Sequence, residues 1–141
     1  MTDKQRNGDS ITIPSSPDSI AAVDEFLESW LRARNVPDDL VADLAIAITE
    51  LVNNAIKHGN KNDSSKKVTI ALRINDGEAE ATISDQGTGF NPATVPNPVA
   101  EENLMKEVGR GIYIARELMD KVEYAFPKEG GTRVIVTKRI Q

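Results

Sequence analysis

Residues 68–83 constrain the architecture of this chain more than any other stretch. Val68, Ile70, Leu72 and Ile74 alternate with polar or small residues, Ala79, Ala81 and Ile83 do the same, and N-D-G stands between them at 75–77. A period of two puts alternate side chains on one face, and Asp-Gly between two such runs is the signature of a β-hairpin. An apolar sheet face must be covered by another layer.

Helical segments supply that layer. Ser16, Pro17 and Asp18 form an N-cap, N1 and N2 signature, after which Ile20, Val23, Phe26, Leu27, Trp30 and Leu31 keep a 3.6-residue stripe to about Arg34. Trp30 at that spacing reads as core rather than as a recognition anchor. Asn35 and Val36 make a turn, and Pro37 starts a second helix with Asp38 and Asp39 in its first turn. Leu40, Val41, Leu44, Ile48, Leu51, Val52 and Ala55 carry its buried stripe to Gly59, a helix of about 22 residues. Ahead of both, Ile11 and Ile13 flank Thr12 before Pro14, an edge-strand pattern. Beyond the hairpin, the proline-rich stretch 91–108 reads as a long loop, of the kind that serves as a lid or binding segment. Ile112, Ala115, Leu118 and Met119 then mark a third helix, Val122, Tyr124 and Phe126 a strand, and Thr132 to Ile140 a final strand. The order β, α, α, β, β, lid, α, β, β predicts an α+β two-layer sandwich, a mixed, mostly antiparallel sheet with helices on one face. Residues 1–9 are expected to be a disordered lead-in, and 10–141 a single domain with its lid at about 90–109.

Composition narrows the function classes. No apolar run approaches the ~18 residues of a membrane span, and Met1 to Ser10 carries no signal-peptide pattern, so a cytoplasmic protein with no membrane partner is expected. With no cysteine and one histidine, thiolate and His-cluster metal sites are excluded, and any metal must be held by oxygen. A net charge of −5 argues against nucleic acid as a partner, because phosphate backbones are met by basic fields.

The chemistry-bearing residues gather at the end of the second helix, E-L-V-N-N-A-I-K-H-G-N. Glu50, Asn54 and His58 stand at i, i+4 and i+8, which stacks a carboxylate, an amide and an imidazole on one helix face, with Asn53 and Lys57 beside it. A solvated helix terminus, with Gly59 as the C′ residue, is the plain alternative. Three glycine-bearing stretches follow: D-Q-G-T-G at 85–89, G-R-G at 109–111 and G-G-T at 130–132. Glycine lets backbone approach a ligand and aim amides at anionic oxygens, although each stretch alone is equally a turn or a cap. Neither a Walker A sequence nor a dinucleotide-binding glycine triplet is present.

The ordered set is more specific than its parts. E-x-x-x-N-A-x-K-H-G, then D-x-G-x-G at a strand end, a loop, G-x-G at a helix start and G-T opening the last strand resembles the GHKL ATPase superfamily, whose fold is the Bergerat or histidine-kinase-like ATPase fold. The length, the E-x-x-x-N form and N-A-I-K-H-G-N are similar to the anti-sigma factor serine kinases, and the resemblance covers roughly residues 11–138. It implies ATP and Mg²⁺ as cofactors. Asp85 would accept a hydrogen bond from the adenine amino group, Gly87 and Gly89 would let base and ribose pack on backbone, and Asn54 would hold Mg²⁺. Lys57 would offset phosphate charge, Gly109 and Gly111 would present amides to the phosphates, and Thr132 would contact the nucleotide. Arg110 is placed for phosphate or for a partner. His58 reads as phosphate-adjacent rather than as a phosphoacceptor, since it lies inside the nucleotide helix. Glu50 would be the catalytic base for serine phosphorylation. The implied activity is that of a protein-serine/threonine kinase acting on an anti-anti-sigma partner and sequestering a sigma factor. The rivals are a non-catalytic ATP-dependent interaction module and a detached histidine-kinase-type ATPase domain. Helix one with its preceding strand offers an edge for a homodimer.

Overall fold

The computed structural model of the chain describes residues 9–87 and 109–141. The lid, Gly89 and residues 1–8 lie outside them. Strand β1 (Ser10–Pro14) leads through a 3-10 turn (Pro17–Ser19) into α1 (Ile20–Ala33) and then α2 (Asp38–Asn54). Hairpin β2 (Lys67–Asn75) and β3 (Glu78–Ser84) follows, then helical residues 109–118 (α3), β4 (Lys121–Ala125) and β5 (Arg133–Arg139).

Local chemistry accounts for the element ends. The Ser16 hydroxyl accepts from the Asp18 amide at 3.3 Å, so the N-cap signature serves the 3-10 turn and α1 proper begins at Ile20. Asn35, at φ 64°, ends α1 in the left-handed conformation, with the amides of Asn35 and Val36 bonded to the carbonyls of Arg32 and Leu31. Asp76 and Gly77 both have positive φ, as the two-residue hairpin turn requires.

The sheet has the order β1-β2-β3-β5-β4 and is antiparallel at every pairing. Its helix-facing side carries Ile13, Val68, Ile70, Leu72, Ala81, Ile83, Val134 and Val136. These pack with Val23, Leu27 and Leu31 of α1, Val41, Leu44, Ile48 and Val52 of α2, and Ala115 of α3. Trp30 is 6% exposed, a core residue whose Nε1 donates to Asp9 Oδ1 at 3.1 Å. The other sheet face is polar, with Arg73 paired to Glu80 and Arg139 to Glu78 across strands. No helix among the described residues is long and apolar enough to cross a membrane.

The topology places the motifs. β3 and β5 pair in the register Ser84↔Arg133, so D-Q-G, leaving β3, meets G-G-T, entering β5. α2 packs against both strands, and its C-terminal end comes down on that junction.

Candidate functional site

The helix that carries E-x-x-x-N does not keep its α pitch to Gly59. From Ala55 to Gly59 it widens into a π turn, in which the Asn60 amide bonds the Ala55 carbonyl at 2.8 Å and the Asn62 amide the Ile56 carbonyl at 2.7 Å. Such wide turns interrupt helices at functional sites more often than elsewhere. Gly59 is therefore not a left-handed capping residue; that conformation falls to Lys61 and Asn62, at φ 53° and 59°. Gly59 is glycine because the Asp85 side chain lies against its Cα, and a Cβ there would stand 2.2 Å from Asp85 Oδ2.

Asp85 is anchored through its backbone and one carboxylate oxygen. Its amide donates to the Thr132 carbonyl at 3.0 Å, and its Oδ1 accepts from the amides of Gly87 at 3.0 Å and Thr132 at 3.1 Å. Oδ2 accepts no hydrogen bond among the described residues, which leaves a fixed acceptor beside the π turn. Burial pushes the Asp85 carboxyl above its ordinary range, against the pull of the two amides and of Lys66. A carboxylate with one oxygen anchored by backbone and the other open suits an exocyclic amino group, the donor that adenine presents.

Around this acceptor runs a cavity lined by Leu51, Asn54, Ala55, His58, Gly59, Ile83, Asp85, Tyr124, Thr132 and Val134. Its walls are apolar and its few polar groups converge, and at about 30 Å³ it is a narrow slot beside Asp85 rather than room for a whole base. Asn54, His58, Asp85 and Thr132 of the expected set are thus brought together. Gly87 joins them through the backbone, and Gly111 through Asn54, since a Cβ at Gly111 would come 3.0 Å from Asn54 Nδ2. Lys57 and Arg110 are exposed, and Gly109 has no described residue within 4 Å of where a Cβ would stand. Glu50 is half-buried one turn before Asn54 and takes no part in the cavity lining. Among the described residues no group of three or more acidic or histidine side chains converges on a point. A metal bound at Asn54 would therefore draw most of its ligands from phosphate and water, which suits Mg²⁺.

Sequence reasoning missed Gly59, Asn60, Gly131 and Tyr124. Gly131 was visible in G-G-T, but its reason is tertiary: at φ 84° it runs so close to Asp85 that a Cβ would be 2.2 Å from the Asp85 carbonyl oxygen. In the sequence Tyr124 is one more alternating strand residue. It lines the cavity and stacks on Phe126, and burial pushes its phenol up to about 12, so it stays protonated.

The glycine contacts give a sharp contrast. A Cβ at Gly87 would fall 1.7 Å from the Gly59 carbonyl oxygen, backbone against backbone, whereas one at Gly109 meets nothing within 4 Å among the described residues. Gly87→Ala is expected to cost about 3 kcal/mol or more and to lower the melting temperature by roughly 10 °C. Gly109→Ala should leave it within about 2 °C, and calorimetry of the two variants checks the pair.

The chain matches the family described as histidine kinase-like ATPase domain over residues 13–138. Serine-protein kinase RsbW of Listeria innocua is 28% identical over 136 residues, covering 92% of this chain and 85% of the relative. RsbW of Staphylococcus aureus is 28% identical over 92% of this chain and 84% of its own. Among solved structures, that of the RsbU and RsbW domains of a Mycobacterium tuberculosis protein superposes with a TM-score of 0.69 at 24% identity, over 93% of this chain and 32% of that longer one. The SiaB–SiaC complex from Pseudomonas aeruginosa gives 0.61 at 15% identity, over 91% and 87%. At such identities the structures speak for the fold, and the fold is the one the motif order implied. The chain belongs to the histidine kinase-like ATPase family, and the relatives described above are serine-protein kinases.

Proposed function

We propose that this chain is an ATP-dependent protein-serine kinase of the cytoplasm that phosphorylates a small anti-anti-sigma-type protein and, in its alternative complex, sequesters a sigma factor. The observation that carries the reading is the junction of α2 with the β3–β5 strand ends. There Asp85, with one carboxylate oxygen open, shares a cavity with Asn54, and Glu50 lies one helical turn before Asn54 on α2. The relatives, serine-protein kinases, support the same direction.

In this reading Asp85 Oδ2 accepts from the adenine amino group, and the wall of Leu51, Ile83 and Val134 packs the ring. Asn54 would hold Mg²⁺ through its side-chain oxygen, and the ion would offset phosphate charge. His58, Lys57, Arg110 and the backbone of Gly109 and Gly111 would serve the phosphates, Thr132 would contact the nucleotide beside Asp85, and Gly89, outside the described residues, is proposed for the ribose. Glu50 takes the proton of the incoming serine hydroxyl as the serine oxygen bonds to the γ-phosphorus and ADP leaves. Strand β1 pairs only with β2 among the described strands, so with α1 it supplies the edge for a homodimer.

The test is γ-labelled ATP with Mg²⁺ added to purified protein in a lysate of the source organism. The expected result is one small labelled protein carrying acid-stable phosphoserine. Label released only as free phosphate would favour a simple ATPase. ATP binding with neither product would favour an interaction module that nucleotide merely switches.

A further inference from the structure

Asn60 has no part in the chemistry proposed above, yet its side chain is 1% exposed and bonded at both ends of its amide. Nδ2 donates to Ser15 Oγ at 2.7 Å and to the Lys67 carbonyl at 3.0 Å, which ties it to the exit of β1 and the entry of β2. Oδ1 accepts from the backbone amide of Gln86 at 2.8 Å, the residue after Asp85. Gln86 returns the connection, its Oε1 accepting from the Lys67 amide at 2.6 Å. Ser15, itself buried, donates to the Lys66 carbonyl at 2.8 Å. The planar amide thus holds the rigid sheet on its donor side and the D-Q-G loop on its acceptor side.

We infer that Asn60 is a positioning residue for purine recognition. By pinning the Asp85–Gln86 peptide to the sheet, it sets the depth at which Asp85 Oδ2 meets a 6-amino group. The inference rests on reading Asp85 as the adenine acceptor. Only asparagine satisfies both sides at this length. Aspartate would offer no donor to the Lys67 carbonyl, glutamine would add a methylene to a filled site, and alanine would leave the Gln86 amide and the Lys67 carbonyl without this partner. The π turn makes the placement feasible, because its extra width delivers residue 60 inward, directly after the glycine that touches Asp85.

Calorimetric titration with Mg-ATP and with Mg-purine riboside triphosphate, the same nucleotide without the 6-amino group, tests positioning against scaffolding. Wild type should prefer ATP. Asn60→Ala is expected to lose about tenfold in ATP affinity while the purine riboside nucleotide stays within about twofold, so the preference collapses. Gln86→Ala changes an exposed side chain on the same tether and should reduce the preference about threefold, which keeps the test open if Asn60→Ala does not fold. Ser15→Ala breaks two bonds, to Asn60 Nδ2 and to the Lys66 carbonyl, both on the sheet side, and should lower the melting temperature with the preference intact. Equal losses for both nucleotides in Asn60→Ala, or a preference unchanged in Gln86→Ala, would overturn the inference. A wild type that shows no preference at all would overturn the Asp85 reading, and the inference with it.

Discussion

Replacing Asp85 by asparagine is expected to weaken ATP binding about a hundredfold while leaving the protein at least as heat-stable at pH 7 as the wild type. The two effects separate because the two carboxylate oxygens do different work. Oδ1 accepts from the amides of Gly87 and Thr132, and an asparagine oxygen can do the same. Oδ2 is the open acceptor, and an amide nitrogen in its place would set donor against donor at the adenine amino group. A nucleotide with a 6-oxo group, such as ITP, should therefore gain on ATP in the variant, and a titration with both nucleotides reads this directly.

The stability half follows from the raised carboxyl. Where the folded protein holds the proton more tightly than the unfolded chain, stability is greatest below the unfolded carboxyl's range and is lost as pH rises through the higher folded value. The asparagine variant lacks that slope. Melting curves from pH 4 to 7 should show wild type losing ground to Asp85→Asn as pH rises; a gap that runs the other way would mean that the charged carboxylate is net stabilising.

How much of this was legible in the sequence varies with the physical range of the cause. The hairpin, helix stripes and Trp30 as core were legible because each is a local period or turn requirement. That Asn54, Asp85 and Thr132 belong together was carried by motif order alone, since no local pattern joins residues tens of positions apart. The π turn was invisible: its five residues A-I-K-H-G have no period of their own, and the Asp85 side chain that lies against Gly59 is a tertiary neighbour 26 positions on. For the same reason Gly59 looked like a cap and Asn60 like the first residue of a polar loop. The side chain of Asn60 proved to be among the most buried polar groups described.

The second large effect is expected at Glu50. Glu50→Gln keeps the shape and the hydrogen-bonding length of the side chain but removes its capacity to take a proton, so phosphoryl transfer should fall by roughly 10²–10⁴-fold. ATP affinity should stay within about twofold, because the residue stands outside the base cavity. A glutamate that only orients its neighbours on α2 would give a different signature, a loss shared between affinity and rate.

Measuring both quantities on one preparation of wild type and Glu50→Gln tests the central claim most directly. Phosphoserine formed in the small partner protein is quantified alongside the dissociation constant for Mg-ATP. The account predicts that the variant binds ATP as wild type does and transfers almost none of its γ-phosphoryl. Transfer persisting at near wild-type rate in the variant would contradict it and remove Glu50 as the base. A wild type that binds ATP and phosphorylates no protein would contradict the kinase itself.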